Sequence, residues 1–393
     1  LLKKTFVILF IAVFALALIS GCSNNAPAAS SGAPASASPD AAVSPASSAS
    51  PASSEAASKP AEIKPFAEKR TLNVLNWGEY MDDSLRAKFE KEYNVTVNYN
   101  TCTSNEQMYT VVSTEDSSAD IIFPSDYMVE RLIREGLLLE VDYNSLPNFK
   151  NVSDFCKNKN FDPGNKYSVP YTWGTLGILY NKKMVTDPVK SWSILWNEKY
   201  KDNIYMYDSM RDSMAVALIK LGYSINTTNQ DEINAAGKAL MDQKPLVKAY
   251  GTDDIKQSLL SGSGALGVVY SGDAMIAFED DKDGVLDYAV PEEGSNIWFD
   301  NMVIMKNSKN VDVAEAFINF FLDPENSKAN SESIGYPSSV SDAMKNLSDE
   351  YKNNPAFNPP EATLNRCEVY ADVTSDEAVK SLYEDLWDQV KAG

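Results

Sequence analysis

The 393 residues include 55 acidic side chains against 35 basic ones and no histidine, for a formal net charge of −20. So acidic a chain is a poor partner for nucleic acid and a good one for cations, although solubility alone accounts for much of such charge. Without histidine there is no His-based catalytic triad and no His-ligated metal site, which weighs against an enzyme.

The N-terminal stretch LLKKTFVILFIAVFALALISGCSNN sets Lys3 and Lys4 before an apolar run that ends in small residues and Cys22. That order is the order of a secretory signal. A membrane-spanning helix would need about 20 apolar residues and a charged flank, where SNNAPAASS follows instead. Ile19-Ser20-Gly21-Cys22 resembles the lipobox of bacterial lipoproteins, which implies a signal over residues 1–22, lipidation at Cys22 and attachment to the extracytoplasmic face of the cell membrane. Residues 23–70 are rich in Ala, Ser and Pro and too poor in large apolar side chains to form a core. They are expected to be a disordered tether whose ends lie on the order of 35 Å apart.

The roughly 320 residues from 71 onward exceed what one compact core usually holds, so two lobes are expected. TLNVLNWGEYMDDSLRAKFEKEYNVTVNYN reads as strand, turn, helix and strand, a βαβ unit. Asp82 and Asp83 stand where carboxylates cap a helix, and Ser104 with Gln107 matches a capping box. ADIIFPSDYMVERLIREGLLLEV gives a buried strand, a Pro-marked turn and an amphipathic helix. Trp192 and Trp196 fall four apart on a short helix and are assigned to packing, as is Trp387. Strand and helix patterns alternate to the end, and the fold class is α/β with mixed, mostly parallel sheets. Cys102, Cys156 and Cys367 have no metal-like spacing, and a disulfide between two of them is not readable.

Ligands of such sheets bind beyond the carboxyl ends of the strands. There the chain places NWGEY, PSDY, YDSMRD and YSGD, aromatic residues beside carboxylates. GSGALG at 262–267 precedes a strand, the wrong side for a dinucleotide loop. EDDKDGVLDYAV has Val290 where a calcium loop needs its bidentate Glu, so Asp283-Gly284 is assigned to a hairpin turn. No cofactor and no metal are expected. In SNIWFDN, Trp298 and Asp300 are two apart in a strand and share a face. An acid beside an indole argues for a cationic guest, the alternative being a structural Arg or Lys.

LNWGEY, FPSDYMVERLIREGLL, FDPGNKYSVPYTWGT, DSMRDSMAVALIKLGYSINTT, IWFDNMVI and IGYPSS together resemble the bacterial spermidine/putrescine-binding proteins, the extracytoplasmic receptors of polyamine ABC transporters. The resemblance runs from about residue 71 to the end. It implies the two-lobed periplasmic-binding-protein fold, with residues 71–173 and 298–337 in one lobe and 174–297 and 338–393 in the other. The crossings then fall near Trp173-Gly174 and Trp298. By the same resemblance, aromatic groups flank the polyamine methylenes and acids take its ammonium groups: Trp77 and Tyr80 with Glu79 in their loop, Tyr127, Asp212, Tyr270, the central pair Trp298 and Asp300, and Tyr336. Ser125, Asp208, Ser209, Arg211 and Tyr370 complete the candidate set. Ser209 stands where some members have Asp, Tyr270 where some have Trp, and Tyr370 near a position held by Gln, so the choice between putrescine and spermidine stays open. The implied partners are a polyamine, ABC permease subunits and, through the lipid anchor, the membrane; the implied state is a monomer without nucleic acid. A receptor for a sugar and a surface hydrolase using Glu79 and Asp300 as acid and base remain the alternatives.

Overall fold

The computed structural model describes residues 63 to 392; the signal, Cys22 and the tether as far as residue 62 lie outside them. The expected tether boundary at residue 70 needs correction. Ile63 and Phe66 pack against the core, the Phe66 N–H donates to the Tyr93 carbonyl at 3.1 Å, and Arg70 already begins the first strand.

In chain order the elements that place the site are β1 (Arg70–Trp77), α1 (Asp83–Tyr93), β2 (Val95–Cys102), α2 (Asn105–Val112), β3 (Ile121–Ile122), α3 (Asp126–Arg134), β4 (Ser168–Asn181), β5 (Ile204–Tyr207), α4 (Met210–Lys220), α5 (Gln230–Gln243), β6 (Val247–Gly251), α6 (Asp254–Leu260), β7 (Leu266–Tyr270), α7 (Ser271–Asp280), β8 (Leu286–Ala289), β9 (Ile297–Ile304), α8 (Val311–Phe321) and α9 (Pro324–Ile334). A helix Glu377–Ala392 packs on α5 and α4.

Local chemistry explains several boundaries. Asp82 caps α1 by accepting the Ser84 N–H at 2.7 Å, and Asn94 ends it in the left-handed conformation at φ 59°, which Asn tolerates better than most residues. Ser104 caps α2 by accepting the Gln107 N–H at 3.0 Å, but the Gln107 carbonyl oxygen turns to the Thr103 N–H at 2.7 Å, so only half of the expected capping box forms. Trp192 and Trp196 sit on a 3-10 turn, each indole donating to a backbone carbonyl at 2.9 Å, of Gly294 and Ala239 respectively. Asp283-Gly284 turns the chain from α7 into β8, not between two strands. Cys102, Cys156 and Cys367 are all free thiols.

The strand order is β2-β1-β3-β9-β4-β7-β5-β6, with β8 paired to β4. Pairs β1–β2, β1–β3, β5–β6 and β5–β7 are parallel, as βαβ units require. The expectation of mostly parallel sheets fails at the middle: β9 runs antiparallel to β3 and β4, and β4 antiparallel to β7 and β8. The reason is the 14-residue β4, about 45 Å long at a strand's rise, whose first half pairs with β9 and whose second half pairs with β7 and β8. One strand thus serves both halves of the molecule, and β9 must return against it. All of β9 and nearly all of β4 is buried, which explains their unbroken apolar look in sequence.

At the division of β4, Gly174 pairs with Trp298 in register. A side chain at Gly174 would put its Cβ 2.5 Å from the indole Cζ2 and 2.9 Å from Ser271 Oγ, so the glycine is a matter of space. Gly272, at the start of α7, does the same for the Tyr336 ring. Gly174→Ala should therefore destabilise the protein by about 1–3 kcal/mol in chemical denaturation through overpacking and change its Trp fluorescence. Unchanged stability would show that the indole is not seated there.

Candidate functional site

Strand ends and helix N-termini converge on a cavity of about 740 Å³. The end of β1 supplies Trp77 and the turn after it Glu79 and Tyr80; the start of α3 gives Ser125 and Tyr127; the start of α4 gives Ser209, Arg211 and Asp212; β7 gives Tyr270; β9 gives Trp298 and Asp300; and Tyr336 and Tyr370 close it. Every residue of the candidate ligand-binding set lines this cavity except Asp208. That carboxylate turns away to accept from Lys391 Nζ at 2.6 Å, while its neighbour Ser209, which caps α4, lines the cavity. The lining carries Glu79, Asp82, Asp83, Glu106, Asp212, Asp253, Asp273, Glu279 and Asp300 against Arg211 and Lys256, so its field attracts cations.

The aromatic wall is a chain of edge contacts. Trp298 meets Tyr270 at 5.8 Å and Tyr336 at 5.2 Å between ring centres, Tyr336 meets Tyr80 at 5.4 Å, and Tyr80 meets Tyr171 at 5.6 Å. It is fixed from behind. Tyr80 shares a hydrogen bond with Thr172, and the Tyr171 hydroxyl donates to the Tyr80 carbonyl at 2.9 Å while accepting from Asn330 Nδ2 at 2.7 Å. Tyr127 donates to Glu106 at 2.9 Å and packs edge-on to Tyr370.

Asp300 is the site's unresolved charge. It is 5% exposed, and among the described residues no Lys or Arg lies within ion-pairing distance of it. Among the described residues its Oδ1 has no hydrogen bond of good geometry, nor do the buried indole nitrogens of Trp77 and Trp298, although the Trp77 N–H lies near enough to act on the charge. Burial pushes its carboxyl up to about 7, with the polar groups of Ser125, Tyr80 and Trp77 pulling part of the way back. Among the described residues, then, no structural Arg or Lys pairs with this acid.

Asp212 is better satisfied, accepting from the Tyr270 hydroxyl at 2.7 Å and the Tyr370 hydroxyl at 3.1 Å. Burial still raises its carboxyl, while the hydrogen bonds and the adjoining Arg211 charge oppose the rise. Arg211 makes no ion pair with it; its guanidinium stacks 4.5 Å from the Tyr370 ring and donates to Asn226 and to the Ala371 carbonyl. Glu79 receives Lys256 Nζ at 2.9 Å, and the same ammonium reaches Asp273 at 3.4 Å. Burial holds the Asp273 carboxyl up at about 6 despite Lys256.

Lys256, Asp253 and Glu106 were missed by the sequence reading, and Asp273 was noticed only as part of YSGD. The strand-end rule that found the other loops applies equally to Asp253 after β6. Lys256 had its own signal, a cation in the first turn of a helix where the dipole disfavours it.

Residues 84–359 match the bacterial extracellular solute-binding proteins. The chain belongs to that family. It is 37% identical over 329 residues to a spermidine/putrescine-binding periplasmic protein of Escherichia coli (strain K12), covering 83% of this chain and 93% of the relative. Among solved structures, a putative spermidine/putrescine ABC transporter protein from Listeria monocytogenes superposes with a TM-score of 0.78 at 40% identity, over 82% of this chain and 98% of that one. The substrate-binding protein PotD of Streptococcus pneumoniae gives a TM-score of 0.72 at 39% identity, over 82% and 99%. This solute-binding protein has the two-lobed fold of its relatives.

An Asp whose folded value lies above its unfolded one, about 3.9, opposes folding when ionised. The stability that Asp300 withholds at neutral pH returns as pH falls from about 7 toward 4. Asp300→Asn should accordingly raise the melting temperature of the ligand-free protein at pH 7.5, by the equivalent of at most about 4 kcal/mol, and flatten its dependence on pH over that window. A variant that melts lower, or with the wild-type pH profile, would contradict the placement of this acid.

Proposed function

We propose that this solute-binding protein takes a polyamine, putrescine or spermidine, into the cleft and delivers it to the permease of an ABC importer. The observation that carries the reading is Asp300, a buried carboxylate two residues from Trp298 on the same strand face, with no ion pair among the described residues. An ammonium group supplies what that acid lacks. The names of its relatives point to the same ligand class.

Each ammonium would gain charge-assisted hydrogen bonds worth about 1.5–3 kcal/mol, each buried methylene about 0.8 kcal/mol, and a cation over an indole about 0.5–2 kcal/mol. After ordering costs, micromolar affinity or better follows. A sugar needs no buried, unpaired carboxylate, and Glu79, the second acid a hydrolase would use, is bound to Lys256.

The lobes of this reading divide at Trp173-Gly174 and at Trp298, where β4 changes partners. The last crossing, expected after residue 337, falls after Val340 in this reading, which the bridges of Ser338 to Thr172 and of Val340 to Val152 support. Closure of the lobes over the ligand would report occupancy to the permease. Lipidation at Cys22 would hold a monomeric receptor at the membrane on its tether.

Calorimetric titration with putrescine, spermidine, spermine and glucose tests this. At least one amine should bind at micromolar concentration or below, glucose should not bind, and Asp300→Ala should weaken the amine at least about 100-fold, the loss expected when one partner of a buried charge pair goes. Equal binding by Asp300→Ala, or no heat with any amine, would sink the proposal.

A further inference from the structure

Lysine is rarely buried, and the first turn of a helix is the end that repels a cation. Lys256 stands in the first turn of α6 all the same, 7% exposed. Its Nζ lies 2.9 Å from Glu79 Oε2 and 3.4 Å from Asp273 Oδ1. Glu79 belongs to the turn after β1 and Asp273 to the first turn of α7, so one protein ammonium joins two of the cleft's acids from opposite halves of the sheet. The side chains of Lys256 and Asp273 are 8% and 14% exposed, whereas that of Glu79 is 76% exposed, so the pair is buried at one end and open at the other.

The other two buried acids of the cleft differ. Among the described residues, Asp300 Oδ1 has no hydrogen-bond partner, and Asp212 accepts from the phenols of Tyr270 and Tyr370 and forms no ion pair. They approach the Trp298 indole by different routes, Asp212 through Tyr270 and Asp300 from two positions along β9. Two buried acids around one indole, neither in an ion pair among the described residues although the Arg211 charge adjoins Asp212, match a guest with two ammonium groups and one alkyl chain.

We infer that Lys256 stands in for a third ligand ammonium, so that the cleft selects a diamine over a triamine. The inference rests on the polyamine reading of the same cleft. Glu79 and Asp273 are already neutralised by Lys256, so an extra cation brought to that end of the cleft meets the Lys256 charge, and like charges repel strongly in a partly dry site. Selection here works by exclusion of the longer ligand as much as by attraction of the shorter one.

The test titrates putrescine and spermidine into the wild type and into Lys256→Gln, Lys256→Met and Lys256→Arg, with circular dichroism confirming that each variant is folded. The wild type should bind putrescine at least about tenfold tighter than spermidine. Gln and Met should shift the ratio of the two dissociation constants toward spermidine by at least about tenfold, while Arg, which keeps the charge, should hold the wild-type order. A wild type that prefers spermidine, or an unchanged ratio in both neutral variants, would overturn the inference and leave the polyamine reading standing. Binding of neither amine to the wild type would overturn both.

Discussion

A carboxylate shut away from water without a cation costs a folded protein several kcal/mol, and much of this molecule is arranged to hold one in place. Asp300 cannot retreat. On one side it pairs in register with Thr172 of β4, and on the other it bridges to Ser125 at the start of α3. One residue earlier, the Phe299 N–H donates to the buried carboxylate of Asp126 at 3.1 Å, which ties β9 to α3. The strand that presents the acid is thus fixed from two directions, and the acid stays where no cation of the described residues pairs with it. Function here is drawn from stability that the ligand-free fold forgoes.

The same fixing governs the aromatic groups. Trp298 occupies the space that Gly174 leaves open, and Tyr336 that left by Gly272, so both rings depend on the close backbone approach that only glycine permits. The long β4 makes this possible, since its change of partner falls where the indole sits. A strand shared by both halves places the aromatic wall at their junction, the position from which closure of the lobes would enclose a guest.

Much of this was legible in the sequence because it is local. The face shared by Trp298 and Asp300 follows from the two-residue period of a strand, and the Asp82 and Ser104 caps from residue type beside a helical pattern. Strand ends rich in aromatic and acidic residues identified the loops of the cavity. What escaped was non-local. The antiparallel return of β9 depends on pairing between strands more than 100 residues apart, which no periodicity records. Asp208 and Ser209 are adjacent in sequence, and only the cap of α4 decides which of them faces the cavity. The partners of Lys256 lie 177 and 17 residues away, so its role as an internal ammonium shows only in the folded chain.

The central claim is that the ligand is the cation Asp300 lacks. If so, binding must expel the proton that burial holds on that carboxyl below about pH 7. Titrating the best-binding amine at pH 6 in two buffers of different ionisation enthalpy measures this directly. The account predicts release of about one proton per amine bound by the wild type, with most of it lost in Asp300→Asn. Heats that do not depend on the buffer, or proton release unchanged in the variant, would contradict it.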